Sequence, residues 1–143
     1  MIKPHGSDTL NPLFVYSAEK RDQLRADAAN MPKLLLNSAA AANAVMLGAG
    51  YFNPLTGFMN RADSLSVAAD LRTADGLFWP VPVMNRTENI EGLKVGDRVA
   101  LLDPNQEGNP VLAVQTVEAI EELSDADIEL MIAEVFGTKD PEH

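Results

Sequence analysis

Apolar residues spaced three or four positions apart predict four helices in this chain. Each predicted helix follows a polar residue whose side chain can accept a hydrogen bond from a backbone N–H of the first turn. The predicted ranges are 18–30 after Ser17, 39–47 after Asn37 or Ser38, 61–72 after Asn60 and 125–136 after Ser124. We expect Gly48 and Gly137 to end the second and fourth helices in the left-handed conformation that glycine adopts readily.

Three segments carry the alternating pattern of β-strands, at 33–36, 98–102 and 111–120, the last being the longest. Segment 77–84 also reads as extended, but Pro80 and Pro82 offer no N–H to a neighbouring strand, so we expect an edge or bulged strand. Trp79 within it is expected in the core. Turns are predicted at 75–76, 93–97 and 103–110.

Helices dominate the first half of the chain and strands the second, a distribution typical of an α+β fold. We predict N-terminal helices packed on a small, antiparallel, partly closed β-barrel. The length of 143 residues is close to the commonest domain size, so residues 1–143 are expected to form a single domain. Residues 1–16 read as an irregular arm that packs on this domain through Leu10, Leu13, Phe14 and Val15.

Residues 48–59, Gly-Ala-Gly-Tyr-Phe-Asn-Pro-Leu-Thr-Gly-Phe-Met, are the segment around which the chain is organised. Its glycines and proline exclude regular structure, while its large apolar side chains exclude a solvated loop. The simplest interpretation is a packed connection between two helices. The alternative is an interface turn, and its candidate contact residues are Tyr51, Phe52, Pro54, Leu55, Phe58 and Met59.

The charge balance narrows the classes of partner. The chain has 21 acidic and 11 basic residues, for a net charge of -10, which disfavours binding to nucleic acid and to anionic membranes. No apolar run approaches the roughly 20 residues of a membrane-spanning helix, and the first residues lack the apolar core of a signal peptide. The absence of cysteine excludes disulfides and thiolate sites, so we expect a cytoplasmic location.

The sequence offers few residues for catalysis or metal binding. Its two histidines, His5 and His143, lie near the ends of the chain, where a catalytic base or metal ligand is not expected. Oxygen ligands alternate at Asp103, Asn105 and Glu107, a weak indication of a cation loop, but ordinary turns use the same residues.

A phosphate-binding loop is also disfavoured. The glycine pair Gly48 and Gly50 follows a predicted helix instead of a strand, and Asn53 stands where the third glycine of the dinucleotide pattern would lie. From the residues alone we predict no catalytic, cofactor-binding or metal site in this chain.

The decapeptide 50–59 resembles the N-terminal domain of sulfate adenylyltransferases, of the kind found in bacterial and archaeal sulfur metabolism. The resemblance extends over nearly the whole chain. The other segments that carry it are 4–6 with Leu10, 36–38, 79–83, 99–104, 108–114 and 135–143.

This resemblance implies a PUA-like domain that precedes a nucleotidyltransferase domain. That second domain converts MgATP and sulfate into adenosine 5'-phosphosulfate and pyrophosphate, and its nucleotide-binding motif has the form Gln-x-Arg-Asn-Pro-x-His-x-x-His. The present chain lacks the motif, since its Asn-Pro pairs begin at Asn11, Asn53 and Asn109 without the required arginine or histidine. No catalytic residue can therefore be transferred to this sequence.

The resemblance further implies that MgATP binds the absent catalytic domain, and that the partners of this chain are that domain and other subunits of a homo-oligomer. The alternative is a stand-alone binding or regulatory module with the same fold. Asn53 occupies a position where many members of the family have serine, a departure that we expect to have little consequence.

Overall fold

The computed structural model describes residues 2–140. His143 and the end of the segment 135–143 lie outside the described residues. Within this range the chain forms four helices and three strands. In chain order they are α1 (Ala18–Ala28), β1 (Lys33–Leu35), α2 (Ser38–Ala49), α3 (Arg61–Asp70), β2 (Arg98–Leu102), β3 (Val111–Thr116) and α4 (Asp125–Phe136).

All four predicted helix starts are confirmed. The side chains of Ser17, Asn37, Asn60 and Ser124 each accept a hydrogen bond from the backbone N–H three residues later. At α4 the cap is reciprocal, because the Asp127 carboxylate also accepts from the backbone N–H of Ser124. This helix has the predicted bounds and ends at Gly137 in the left-handed region, with φ 69°.

Three predicted helix ends differ from the structure. The first helix ends at Ala28 instead of residue 30. The second helix does not stop at Gly48 but continues to Ala49, and the left-handed cap is Gly50, with φ 81°. The carbonyl of Gly48 accepts hydrogen bonds from the N-terminal arm, so the helix gains a partner there that local sequence does not reveal. The third helix ends at Asp70, and Leu71 adopts the left-handed conformation, with φ 55°.

The strands form one mixed sheet in the order β1-β2-β3. β1 runs parallel to β2, with Leu34 opposite Leu101, and β3 runs antiparallel to β2, with Val114 opposite Ala100. The sheet is not closed, so the predicted antiparallel, partly closed barrel is not confirmed.

Two extended segments were predicted too long. The third strand ends at Thr116 instead of residue 120, and segment 77–84 contributes only an isolated bridge between Arg72 and Phe78. The prolines in that segment explain its failure to form a continuous strand.

The chain divides into two compact units. The first contains the described residues up to Phe58 together with Asn85–Ile120. It holds the sheet, and its core joins α2 to β2 and to the residue after β3. The buried side chains of this core are Leu36, Ala40, Ala41, Val99, Leu101 and Val117.

The second unit contains Met59–Met84 and the described residues from Glu121 onward. Here α3 packs against α4. Its buried apolar residues are Val67, Ala68, Trp79, Val83 and Met131. The prediction that Trp79 lies in the core is therefore confirmed.

Candidate functional site

The turn that follows α2 presents one aromatic side chain to solvent. Tyr51 is 75% exposed. The other candidate contact residues, Phe52, Pro54, Leu55, Phe58 and Met59, are half-buried. Phe58 packs against the core of the first unit, and the backbone N–H of Met59 donates to the carbonyl of Val83 over 2.7 Å in the second. The turn thus uses most of its apolar side chains for internal packing.

Asn53 is the polar centre of this turn. It is buried, and the peptide bond to Pro54 is cis. Its Oδ1 accepts a hydrogen bond from the backbone N–H of Asn11 over 3.0 Å. Its Nδ2 donates to the hydroxyl of Ser7 over 2.7 Å and to the carbonyl of His5 over 3.3 Å. One amide side chain therefore fixes the N-terminal arm at three points.

Serine could not replace this network, because a hydroxyl has only one proton to donate and a shorter reach. The expectation that asparagine at position 53 has little consequence stays a prediction, and the three hydrogen bonds of Asn53 argue against it. Sequence reasoning missed the role because the three partners lie more than 40 residues earlier in the chain.

The arm is held a second time at the end of α2. The backbone N–H groups of Leu13 and Phe14 both donate to the carbonyl of Gly48, over 2.9 and 3.0 Å. The ring of Phe14 lies directly on Gly48, where an added Cβ would come within 2.6 Å of its Cε1 atom. At Gly50 the nearest atom to an added Cβ would be the Cγ of Pro12, at 3.2 Å. A side chain at position 48 would displace the ring of Phe14, and Gly50 adopts a positive φ of 81° that glycine tolerates best.

The arm packs on the domain as predicted, but it does so largely through its backbone. The side chains that were predicted as anchors remain exposed in large part at Leu10, Leu13 and Phe14, while Val15 is half-buried. Tyr16 at the end of the arm is exposed as well. The arm therefore exposes apolar side chains, as Tyr51 does, although the sequence indicated candidate contact residues only at the turn.

The loop between β2 and β3 begins at Asp103, and its hydrogen bonds are those of an ordinary turn. The Asp103 carboxylate accepts from the backbone N–H of Asn105 over 2.9 Å and from the side chain of Gln106 over 3.2 Å. Among residues 2–140, no three histidine or acidic side chains come together as a metal site. The carboxylate of Asp103 thus stabilises its own loop.

The strongest electrostatic interaction in the described part of the chain is in the second unit. Arg61 donates from Nε and Nη2 to the two carboxylate oxygens of Asp127, over 2.9 and 2.7 Å. These hydrogen bonds, followed by the one from Ser124, lower the pKa of Asp127 to about 2. The same contact raises the pKa of Arg61. Since both residues sit at helix starts, the pair orders the two helices and is not arranged for proton transfer.

Comparison with known proteins places these features in a family. The model of the PUA-like domain family matches residues 2–143. The chain is 52% identical over 143 residues to sulfate adenylyltransferases from Alcanivorax borkumensis and Allochromatium vinosum, and 44% identical to that of the Riftia pachyptila sulfur-oxidizing endosymbiont. All of the chain is covered, but only 36%, 36% and 32% of these relatives. It therefore spans about a third of their length.

A solved structure, a hexameric APS kinase from Thiobacillus denitrificans, is similar with a TM-score of 0.58 and 28% identity. The similarity covers 96% of this chain and 31% of that one. In both kinds of comparison the chain corresponds to one part of a longer polypeptide. No helix within residues 2–140 is long and apolar enough to cross a membrane.

Proposed function

Since the chain belongs to the PUA-like domain family, as the match over residues 2–143 shows, we propose that it serves as the non-catalytic N-terminal domain of a sulfate adenylyltransferase. The observation that carries the proposal is the 52% identity to two such enzymes over the entire chain. The whole enzyme would form adenosine 5'-phosphosulfate and pyrophosphate from MgATP and sulfate in the cytoplasm.

The chemistry would reside in the remaining two-thirds of the polypeptide. The present sequence lacks the Gln-x-Arg-Asn-Pro-x-His-x-x-His motif that the family uses for the nucleotide phosphates. The guanidinium of Arg61 already donates two hydrogen bonds to the carboxylate of Asp127. MgATP and sulfate are accordingly substrates of the other domain, and this one contributes structure.

The structural role that we propose is an interface. Tyr51 offers an exposed aromatic ring on a turn whose backbone is fixed by its own packing and by Asn53. Aromatic residues are enriched at protein interfaces, where they bury a large area at a small cost in side-chain entropy. The other candidate contact residues of this turn, all half-buried, are Phe52, Pro54, Leu55, Phe58 and Met59. The rest of the enzyme is the first partner, and other subunits of a homo-oligomer are the second.

A domain exchange tests the proposed function. The matched region of the Alcanivorax borkumensis enzyme is replaced by this chain, and pyrophosphate release from ATP and sulfate is measured. We expect the exchanged enzyme to keep activity within about tenfold of its parent, a difference of about 1.4 kcal/mol in activation free energy. The matched control is the Alcanivorax borkumensis enzyme from which the matched region has been deleted, and this protein should lose activity.

The chain alone should release no pyrophosphate above background under the same conditions. Turnover by the chain alone would contradict the assignment of the chemistry to the other domain. A folded but inactive exchanged enzyme would contradict the proposed family role and favour a stand-alone binding module.

A further inference from the structure

The N-terminal arm, the end of α2 and the turn after it together expose a set of large apolar side chains. We call this set the arm face, and define it by Leu13, Phe14, Tyr16, Val45 and Tyr51. Phe14 is 51% exposed and Tyr16 74% exposed, and the other three are exposed as well. Isolated apolar side chains on a surface are normal, but a group that includes three aromatic rings is typical of an interaction site.

Backbone contacts bring these side chains together. The N–H groups of Leu13 and Phe14 bind the carbonyl of Gly48, which lies one turn after Val45 on the same side of α2. The N–H of Tyr51 donates to the carbonyl of Met46 over 3.0 Å, so the turn folds back on the same helix. These hydrogen bonds connect the arm and the turn to the last two turns of α2 in the first unit.

The arm face is also fixed before any partner binds. Asn53 holds the arm at Asn11, and the guanidinium of Arg21 donates to the carbonyls of Val15 and Tyr16 over 2.9 and 2.8 Å. A surface that is ordered in advance loses less conformational entropy on binding. The exposed aromatic rings thus stand on a rigid backbone.

The charges beside the arm are already compensated. Lys3 pairs with Asp8 over 2.7 Å, and Arg21 is occupied by backbone carbonyls. A partner with a phosphate backbone is disfavoured, because Lys3 is the one lysine or arginine among residues 2–16 and the chain carries a net charge of -10. The chemistry fits an apolar protein surface with a polar rim.

We propose that the arm face docks onto the remainder of the same polypeptide, the part that makes up about two-thirds of the relatives' length. This inference rests on the proposed function, and it adds residues of the arm and of α2 to the interface. Because the chain spans 36% of the Alcanivorax borkumensis relative, the proposed whole enzyme would supply a large neighbouring segment to each copy. Interfaces between domains of one chain bury about 600–1,500 Å² and need such a surface.

Hydroxyl-radical footprinting with mass spectrometry tests the docking, because oxidation of aromatic rings follows their exposure. The chain alone and the exchanged enzyme are compared at the same concentration. We expect oxidation of Tyr16 and Tyr51 to fall about fivefold in the exchanged enzyme, as for side chains at the centre of an interface. Phe136, which is 68% exposed in the second unit, is the internal reference and should change less.

A pair of variants adds a readout that does not depend on oxidation. The double variant with Tyr16→Ser and Tyr51→Ser should change the melting temperature of the isolated chain by no more than about 2 °C, since both side chains are exposed. The same change should lower the melting temperature of the exchanged enzyme by about 4 °C or more. Phe136→Ser is the matched control and should have a smaller effect.

Unchanged oxidation of both tyrosines in a folded exchanged enzyme would overturn the docking, even if that enzyme is active. Protection of the tyrosines in the chain alone, rising with concentration together with a dimeric mass, would overturn it in favour of a second copy. Protection in an inactive exchanged enzyme would support the docking and contradict the proposed function instead. Should the exchanged enzyme not fold, hydroxyl-radical footprinting of the parent enzyme tests the docking instead, and strong oxidation of the side chains that align with 13–16 and 51 refutes the proposal.

Discussion

The side-chain oxygen of Asn53 accepts a hydrogen bond from the backbone N–H of Asn11, 42 residues earlier in the chain, over 3.0 Å. With the bonds from Asn53 to Ser7 and His5, this contact ties the irregular N-terminal arm to the turn after α2. Together with the contacts that Gly48 and Arg21 make to the arm, this buried amide orders the proposed interface.

Asn53→Ala should destabilise the chain by about 3 kcal/mol, because a buried amide network is lost and the N–H of Asn11 is left without its partner. Urea unfolding measures the change. Asn30→Ala, at an exposed asparagine, is the control and should fall within about 0.5 kcal/mol of the parent. Equal effects of the two substitutions would show that Asn53 does not hold the arm.

Gly48→Ala should release the arm without unfolding the domain. Alanine favours a helix by about 1 kcal/mol over glycine, but its Cβ would overlap the ring of Phe14. We expect chymotrypsin to cleave after Phe14 or Tyr16 about tenfold faster, equivalent to about 1.4 kcal/mol in the opening equilibrium of the arm. Gly57→Ala, where no atom lies within 4 Å of an added Cβ, should leave the cleavage rate unchanged.

Stability at low pH should depend on Asp127. In the folded protein its pKa is lowered from 3.8 to about 2, and the largest cause is the hydrogen bond from Arg61. A carboxyl group whose pKa is lower in the folded than in the unfolded protein stabilises the fold. This stabilisation is complete above the pKa of the unfolded protein, and it is lost as the pH falls toward the pKa of the folded protein. Chemical unfolding between pH 5 and pH 2 should therefore show a progressive loss of stability.

The Asp127→Asn variant isolates this contribution. It should be less stable than the parent at pH 7 and lose less of its stability between pH 5 and pH 2. Asp125→Asn, in the same first turn of α4 but without Arg61, is the matched control and should keep the pH dependence of the parent. Parallel pH profiles for all three proteins would contradict the role of the ion pair.

Ser64→Ala should stabilise the chain. Ser64 lies fully buried on α3, and its hydroxyl has no hydrogen-bond partner in the described part of the chain. Removing a buried, unsatisfied hydroxyl is favourable, and alanine is also the better helix former, so we expect a gain of about 1 kcal/mol by urea unfolding. Ser66→Ala, at a half-buried position on the same helix, reports the propensity effect alone. A loss of stability in the Ser64 variant would reveal a partner for its hydroxyl.

Features set by neighbouring residues could be predicted from the sequence. The helix starts at Ser17, Asn37, Asn60 and Ser124 depend on contacts three residues away, and all were correct. The β2 strand and the bounds of α4 were correct for the same reason.

Features set by distant parts of the chain could not be predicted. The parallel pairing of β1 with β2 joins segments more than 60 residues apart, which excluded the all-antiparallel arrangement. The continuation of α2 past Gly48 reflects the arm packed against it. The pattern of apolar residues predicted Leu13 and Phe14 as anchors, but it did not show that their side chains stay exposed. The sequence thus predicted candidate interface residues on the turn 51–59 and none on the arm.

The mass of the native polypeptide tests the central claim most directly. An antibody raised against this chain isolates the protein from its source, and intact mass spectrometry measures it. Because 143 residues are 36% of the Alcanivorax borkumensis enzyme, that relative has about 400 residues, and we predict a species of roughly 43 kDa. A single species of 15.4 kDa would contradict the account, because the chain would then act without a catalytic domain.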